Sequence, residues 1–307
     1  MEVCGFLFAG QGAQKPGMGR DFYDKYDIAK AVFERADEVL DDISVRKLCF
    51  EADEEVLMKT ENTQPALYTV SYAIYRVLEN NGLEAEYYAG HSLGEYSAIA
   101  AAGYISFEDG LKLVRKRGLL MRDCDPEKRG GMAAIIGLDE STISEVCSEV
   151  GDVVPANYNS PNQVVISGNK EKVKKVAEIL KSRGAKRAVV LNVSGAFHSP
   201  FMMSAAEELK RSVEAIEWKK GKGKLVSNST AEVTDNPDII KDNLIKQLYS
   251  PVLWNKTMKI LVEECGCLNY VECGPGKVLK GLFRSYSREV TVNTIESVSD
   301  IQSIFET

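Results

Sequence analysis

The segment Gly90-His91-Ser92-Leu93-Gly94 constrains the fold of this chain more than any other. It follows a very short apolar stretch at 87–90 and leads into an alanine-rich run at 95–102 that reads as a helix. A serine with glycines two residues before and after it, between strand and helix, fits the G-x-S-x-G elbow. There the glycines permit a tight turn and close approach of neighbouring strands, and the serine stands clear of the backbone. The N–H of the following residue and the helix N-terminus are then available to a developing oxyanion. The bland alternative is an ordinary strand-to-helix turn.

A serine is a poor nucleophile at neutral pH and needs a base within hydrogen-bond reach. The chain holds only two histidines, His91 and His198. His91 adjoins Ser92 in the turn, where its side chain should point elsewhere, so His198 is the candidate base by elimination. It lies in the small-residue loop Ser194-Gly195-Ala196-Phe197-His198-Ser199-Pro200. A lone histidine is more often structural, and it is the elbow serine that favours the catalytic reading. Arg117 has Leu113, Val114, Leu120 and Met121 three and four residues away, so it emerges from an apolar helix face. Arginine is seldom buried without a partner, and its planar guanidinium suits a bidentate grip on a free carboxylate. An internal salt bridge would explain it as well.

At 307 residues the chain suits about two domains, or one α/β domain with an insertion. A buried strand at 3–9 ends in Gly10-Gln11-Gly12, and helices are expected at 27–40 and 65–78. Another at 106–122 opens with Ser106 and Asp109 in a capping arrangement. A charged Gly/Pro linker at 123–131 precedes strand 132–137, helix 140–150, strands 153–157 and 163–167, helix 170–183 and strand 188–193. That β-α-β-β-α-β order is the split pattern of a ferredoxin-like unit. The expected division is a large α/β domain with a parallel-sheet core at 1–127 and 195–307, and a small α+β subdomain at 128–194. The large part resumes with a helix at 200–216, a strand at 224–228, one helix at 236–261 and a strand at 268–273 before Gly274-Pro275-Gly276.

A net charge of −7 without a dominant basic end argues against a general nucleic-acid or anionic-membrane binder. No transmembrane-length apolar run occurs. Seven cysteines, an odd number without a disulfide rhythm, and an N-terminus lacking a basic, apolar leader point to free thiols and a cytoplasmic location. Cys265, Cys267 and Cys273 lack a CxxC pair or nearby histidine, so no metal is expected. Gly10-Gln11-Gly12 is not a dinucleotide fingerprint, because Lys15 replaces the third glycine, and Gly274-Pro275-Gly276-Lys277 lacks the P-loop spacing. The latter reads as a turn packed behind the site. Basic residues cluster from Lys170 to Arg187 and again at Lys277, Lys280, Arg284 and Arg288.

Phe8-Ala-Gly-Gln-Gly-Ala-Gln14, Gly90 through Ala98, Arg115 through Met121, Asn157 through Gly168, Gly195 through Pro200 and Glu272 through Leu279 together resemble the malonyl-CoA:acyl carrier protein transacylase family of bacterial type II fatty acid synthesis. The resemblance implies a hydrolase-like α/β domain carrying a ferredoxin-like subdomain. It also implies Ser92 as the nucleophile taking malonyl from malonyl-CoA, His198 as its base, and the backbone N–H groups of Gln11 and Leu93 as the oxyanion hole. The Gln247 backbone carbonyl would orient the histidine. Arg117 would bind the malonyl carboxylate, with Met121 and Phe197 contacting substrate and the bulk of Phe197 favouring malonyl over methylmalonyl. It implies no cofactor beyond malonyl-CoA as substrate, acyl carrier protein as partner, and a monomer. The cluster from Lys170 to Arg187 reads first as a solvated helix face, with docking of an acidic carrier or of CoA phosphates, there or at the second basic cluster, as the alternative. A trans-acting polyketide synthase acyltransferase, a serine thioesterase or esterase, and a catalytically silent interaction module stay open at this stage.

Overall fold

The structure is a computed structural model, which describes residues 3–193 and 195–305; Ser194, the first residue of the expected histidine loop, lies outside the described residues. The strands are β1 (Gly5–Phe8), β2 (Tyr87–Gly90), β3 (Gly130–Ile136), β4 (Val153–Ser160), β5 (Gln163–Asn169), β6 (Arg187–Val190), β7 (Lys224–Val226), β8 (Val233–Thr234), β9 (Asn269–Cys273) and β10 (Thr291–Ile295). The short apolar runs of β1 and β2 are buried at every residue, as strands covered on both faces must be.

One sheet has the order β10-β9-β1-β2-β7-β8 and is parallel except for the β7–β8 pair. Phe8 stands in register with both Gly90 and Cys273, so β1, β2 and β9 end level. The Gly10-Gln11 loop and the Ser92 turn therefore leave from the same edge, outside the carboxyl ends of the strands, where open α/β sheets build their sites. Helix Thr60–Asn80, whose residues are largely buried, packs against helices Phe107–Asp123 and Leu93–Ala101. It begins five residues before the expected start because Pro65 is accommodated inside it. The missing Pro65 N–H leaves the Glu61 carbonyl free, and Arg115 Nη1 donates to it at 2.6 Å.

The second sheet is antiparallel, in the order β4-β5-β3-β6, with helices Glu140–Val150 and Lys170–Ser182 packed on it. Alternation sends Ala133, Ile135, Val164 and Ile166 into the core under those helices. Met132, Ala134 and Val165 point to the other face, which closes over the carboxyl edge of the parallel sheet. The expected β-α-β-β-α-β order is present, although the last strand ends at Val190.

Two expectations fail here. The single helix at 236–261 is instead helix Pro237–Gln247, a loop, helix Trp254–Lys259 and a π turn at Ile260–Glu264. Pro251 cannot continue a helix, and Val252 is drawn into backbone pairing with β4: its N–H donates to Ala156 O at 2.8 Å and its carbonyl accepts from Tyr158 N at 2.9 Å. The cysteines were all expected as thiols, but Cys4 and Cys267 form a disulfide across 263 residues. Parallel pairing of β1 with β9 places the residues before each strand side by side, and Cys4 N–H donates to Asn269 O. That bond removes the cysteine argument for a reducing compartment. Among the described residues no helix is long and apolar enough to cross a membrane.

The elbow glycines are required by contact. A Cβ on Gly90 would overlap the Gly94 carbonyl, and one on Gly94 would overlap Phe8 O and lie 2.7 Å from Phe8 C and 3.0 Å from Ala9 O. Gly94→Ala should therefore cost at least about 3 kcal/mol, because the clash is with backbone that cannot rotate away. Wild-type-like urea unfolding of this variant would show that the strand and helix do not approach so closely.

Candidate active site

Ser92 begins helix Leu93–Ala101 with φ 52° and ψ −105°, a strained conformation for a residue with a side chain. Asn228, just beyond β7, accounts for it. Its Oδ1 accepts from Ser92 N–H at 2.6 Å, and its Nδ2 donates to Gly90 O at 2.7 Å, clamping the turn on both sides. Leu93 N–H opens the helix and so has no carbonyl of that helix to pair with. Gln11, on the loop after β1, lines the same cleft.

His198, also at positive φ (56°), is buried and places Nε2 2.7 Å from Ser92 Oγ. Its Nδ1 lies 2.9 Å from the Gln247 backbone carbonyl. Gln247 is the last residue of its helix, so its carbonyl is among those a helix leaves unpaired. A carbonyl only accepts, so Nδ1 carries the proton and Nε2 is left to accept from the serine hydroxyl. Burial first, and the charge of Arg117 second, push the imidazole pKa down to about 3, which holds the ring neutral.

Arg117 is 1% exposed and faces the serine from helix Phe107–Asp123. Nη2 donates to Ser92 Oγ at 3.1 Å and to Gln247 Oε1 at 3.0 Å, and Nη1 donates to Gln64 Oε1 at 2.9 Å. The guanidinium lies 5.4 Å from the Tyr96 ring centroid. Among the described residues it has no carboxylate at ion-pair distance, and its Nε has no hydrogen-bond partner. The internal salt bridge weighed from sequence is therefore absent there. Gln64 is held in turn by Thr60 Oγ1 at 2.9 Å, and Thr60 Oγ1 donates to Gln11 Oε1 at 2.9 Å.

These groups open onto a cleft of about 640 Å³ between the two sheets. Met121, Met132, Ala134, Val165, Leu191 and Phe197 make its wall apolar, while Asn157, Asn159 and Gln163 add polar positions along β4 and β5. His91 turns away from Ser92 as expected, with Nε2 2.7 Å from Asn159 Oδ1 and its ring against Trp254. The Gly274-Pro275-Gly276 turn does not line the cleft, but the helix that follows it does, through Val278, Gly281, Leu282 and Ser285. Lys280 and Arg284 ride on that helix. In the other basic cluster Lys172, Lys174 and Arg183 pair with Asp152, Glu171 and the Glu145/Glu149 pair, so much of its charge is neutralised locally. Among the described residues no group of three or more His, Cys, Asp or Glu side chains is placed to hold a metal ion.

Four residues of this arrangement were not singled out from the sequence: Thr60, Glu95, Tyr96 and Asn228. Asn228 was read only as the end of a strand, and Glu95 only as the start of a helix. The one signal was a lone acid in an otherwise small and apolar helix.

A strained serine at the carboxyl edge of a parallel sheet, paired with a neutral histidine and capped by a second, antiparallel sheet, is an arrangement suited to acyl transfer. The chain belongs to the acyl transferase domain family, which it matches over residues 5–302. It is 42% identical over 311 residues to the malonyl CoA-acyl carrier protein transacylase of Bacillus subtilis (strain 168), covering 100% of this chain and 98% of that protein. The solved structure of an acyl carrier protein S-malonyltransferase from Vibrio cholerae superposes with a TM-score of 0.94 at 38% identity, over 99% of this chain and 100% of that one. A malonyl-transacylase solved in complex with its type II PKS acyl-carrier protein superposes with a TM-score of 0.95 at 37% identity, over the full length of both chains.

With a folded pKa near 3 against the ordinary 6.5, His198 contributes stability that is present above about pH 6.5 and is lost as the pH falls toward 3. The presence of only two imidazoles makes this directly readable by nitrogen NMR. His198 should keep a single neutral, Nδ1-protonated form from pH 5 to 8. A midpoint near 6.5 for that ring would contradict the assignment.

Proposed function

We propose that the chain transfers malonyl from malonyl-CoA to the phosphopantetheine thiol of acyl carrier protein through a malonyl ester on Ser92. The observation that carries this reading is the buried Arg117, whose Nη2 lies 3.1 Å from Ser92 Oγ with no carboxylate of the chain against it among the described residues. A short diacid on the serine brings its own carboxylate to this charge. A monoacid such as acetyl leaves the charge without an ionic partner, which disfavours it.

In the first half-reaction His198 Nε2 takes the Ser92 Oγ proton as Oγ attacks the thioester carbonyl. The oxyanion is received by the Gln11 and Leu93 N–H groups. Collapse of the intermediate breaks the C–S bond, and the CoA thiolate takes the proton back from His198. The carrier thiol then repeats the sequence in reverse, giving its proton to His198 and restoring Ser92 Oγ–H. Because the Gln247 carbonyl is neutral, the imidazolium is stabilised less than beside a carboxylate, which suits a thiolate leaving group that departs readily. Malonyl-CoA is a substrate, and each step uses the chain's own groups. Phe197 and Met121 bound the acyl end of the cleft, and the Phe197 bulk fits malonyl better than methylmalonyl.

We further read residues 1–127 and 195–307 as the catalytic domain and 128–194 as the subdomain that roofs it, in a monomer working in the cytoplasm. Supply of fatty acid elongation is the favoured role. The likeness to a transacylase bound to a type II PKS carrier keeps polyketide supply as the second reading.

Intact-mass measurement after incubation with malonyl-CoA tests the proposal. A malonyl adduct that persists, passes to carrier protein and is absent in Ser92→Ala is expected. Rapid hydrolysis of the adduct would point to a thioesterase, and no adduct to a silent module. Arg117→Ala should cut kcat/KM for malonyl-CoA by about 100-fold or more while sparing or improving acetyl transfer, since only malonyl loses a buried charge partner. Equal losses on both donors would end the carboxylate-grip assignment.

A further inference from the structure

Glu95 is the one buried carboxylate, among the described residues, that is hydrogen-bonded into the Ser92–His198–Arg117 arrangement, and no step above uses it. It is 1% exposed, lies one helical turn beyond Ser92, and has no cation at ion-pair distance among the described residues. A buried carboxylate is costly unless its oxygens are well satisfied. Here Oε2 accepts from Gln247 Nε2 at 2.7 Å and Oε1 accepts from Asn228 N–H at 3.2 Å. Both donors are residues that set the site.

We propose that Glu95 is a positioning residue for acyl transfer, acting through the Gln247 amide and the Asn228 backbone to hold Ser92, His198 and Arg117 in one geometry. The inference rests on the functional reading above for those three residues. The Gln247 amide is the relay. Its Nε2 is committed to Glu95 and to the Ser92 carbonyl at 2.7 Å, which turns Oε1 toward Arg117 Nη2 at 3.0 Å. Burial pushes the Glu95 carboxyl up to about 7, but the amide orientation does not depend on its charge. The Ser92 carbonyl offers no donor and the Arg117 guanidinium no acceptor, so no flipped amide fits. With its side chain pinned at both ends, Gln247 keeps its own carbonyl 2.9 Å from His198 Nδ1. Asn228, held by the other oxygen, clamps Ser92 N–H and Gly90 O. One carboxylate thus reaches the nucleophile through Asn228, and the base and the guanidinium through Gln247.

Glu95→Gln keeps the shape but offers one acceptor to two donors, so its own NH2 must face Asn228 N–H or Gln247 Nε2. Steady-state kinetics with malonyl-CoA and carrier protein should show kcat falling about 10- to 100-fold, the scale expected when reacting groups drift by a fraction of an ångström to an ångström. KM for malonyl-CoA should change less than kcat, because Arg117 keeps its Gln64 contact and the cleft wall is untouched. Glu95→Asp, which retains both acceptors on a shorter arm, should recover part of the loss. Gln247→Ala should add little in the Glu95→Gln background, since both changes break one relay. If Glu95→Gln does not fold by circular dichroism, Glu95→Asp is read alone: a kcat loss larger than any change in KM, and not deepened by Gln247→Ala, supports the proposal. Unchanged kcat in a folded variant, or losses that multiply with Gln247→Ala, would overturn it. Ser92→Ala is run in parallel: if it still forms the malonyl adduct, the functional reading itself fails, whereas an inactive Ser92→Ala beside an unaffected Glu95→Gln defeats only the role of Glu95.

Discussion

A guanidinium placed in the interior without a carboxylate against it is the constraint to which the rest of the structure responds. Arg117 is almost wholly buried, and burial draws its pKa below the usual arginine value. The chain surrounds it with neutral acceptors and an aromatic face: Gln64, Gln247, the Ser92 hydroxyl and Tyr96. The two amides and the hydroxyl accept protons of the fork, and the Tyr96 ring lies against the guanidinium, none of them cancelling its charge. A carboxylate in direct contact would have neutralised the site and left nothing for an anionic acyl group to pair with. The same charge, together with burial, keeps His198 neutral and able to accept a proton. Substrate preference and readiness of the base therefore have a common electrostatic source.

The two sheets divide the work of holding that charge in place. The parallel sheet brings the Gly10-Gln11 loop and the Ser92 turn to one level through the in-register ends of β1 and β2. The antiparallel sheet offers its second apolar face as a roof, and β4 pairs with the loop around Val252. That pairing stops the preceding helix at Gln247, which frees a main-chain carbonyl for the histidine. Glu95 and Asn228 lock the junction from beneath. The contacts around Ser92 are thus shared among segments far apart in the chain, which is how a strained serine turn persists.

Much of this was legible in the residue order. The elbow, the β-α-β-β-α-β alternation and the Ser106 cap are local patterns, and the structure reproduces each; Ser106 Oγ accepts from Asp109 N–H at 3.0 Å. Helix Glu140–Val150 and strand β2 fall on the expected residues. The misreadings share one cause. The helix expected at 236–261 breaks where β4 captures its backbone, and helix Thr60–Asn80 runs through Pro65 because Arg115 satisfies the carbonyl that proline leaves open. Cys4 meets Cys267 only because the first strand pairs with one near the end of the chain. Each depends on a partner distant in sequence that no local window contains.

By itself the sequence determined the turn that must carry a serine, the one histidine able to serve it, and an arginine on an apolar helix face. These follow from the few side chains capable of such chemistry and from steric rules that act over a few residues. Only the tertiary structure decided that the arginine has no internal carboxylate partner, that a helix ends where its last carbonyl can hold the imidazole, and that Glu95 lies under both. Those outcomes turn on which donors and acceptors are left unpaired after packing. That balance is settled by long-range contacts and cannot be read from neighbours along the chain.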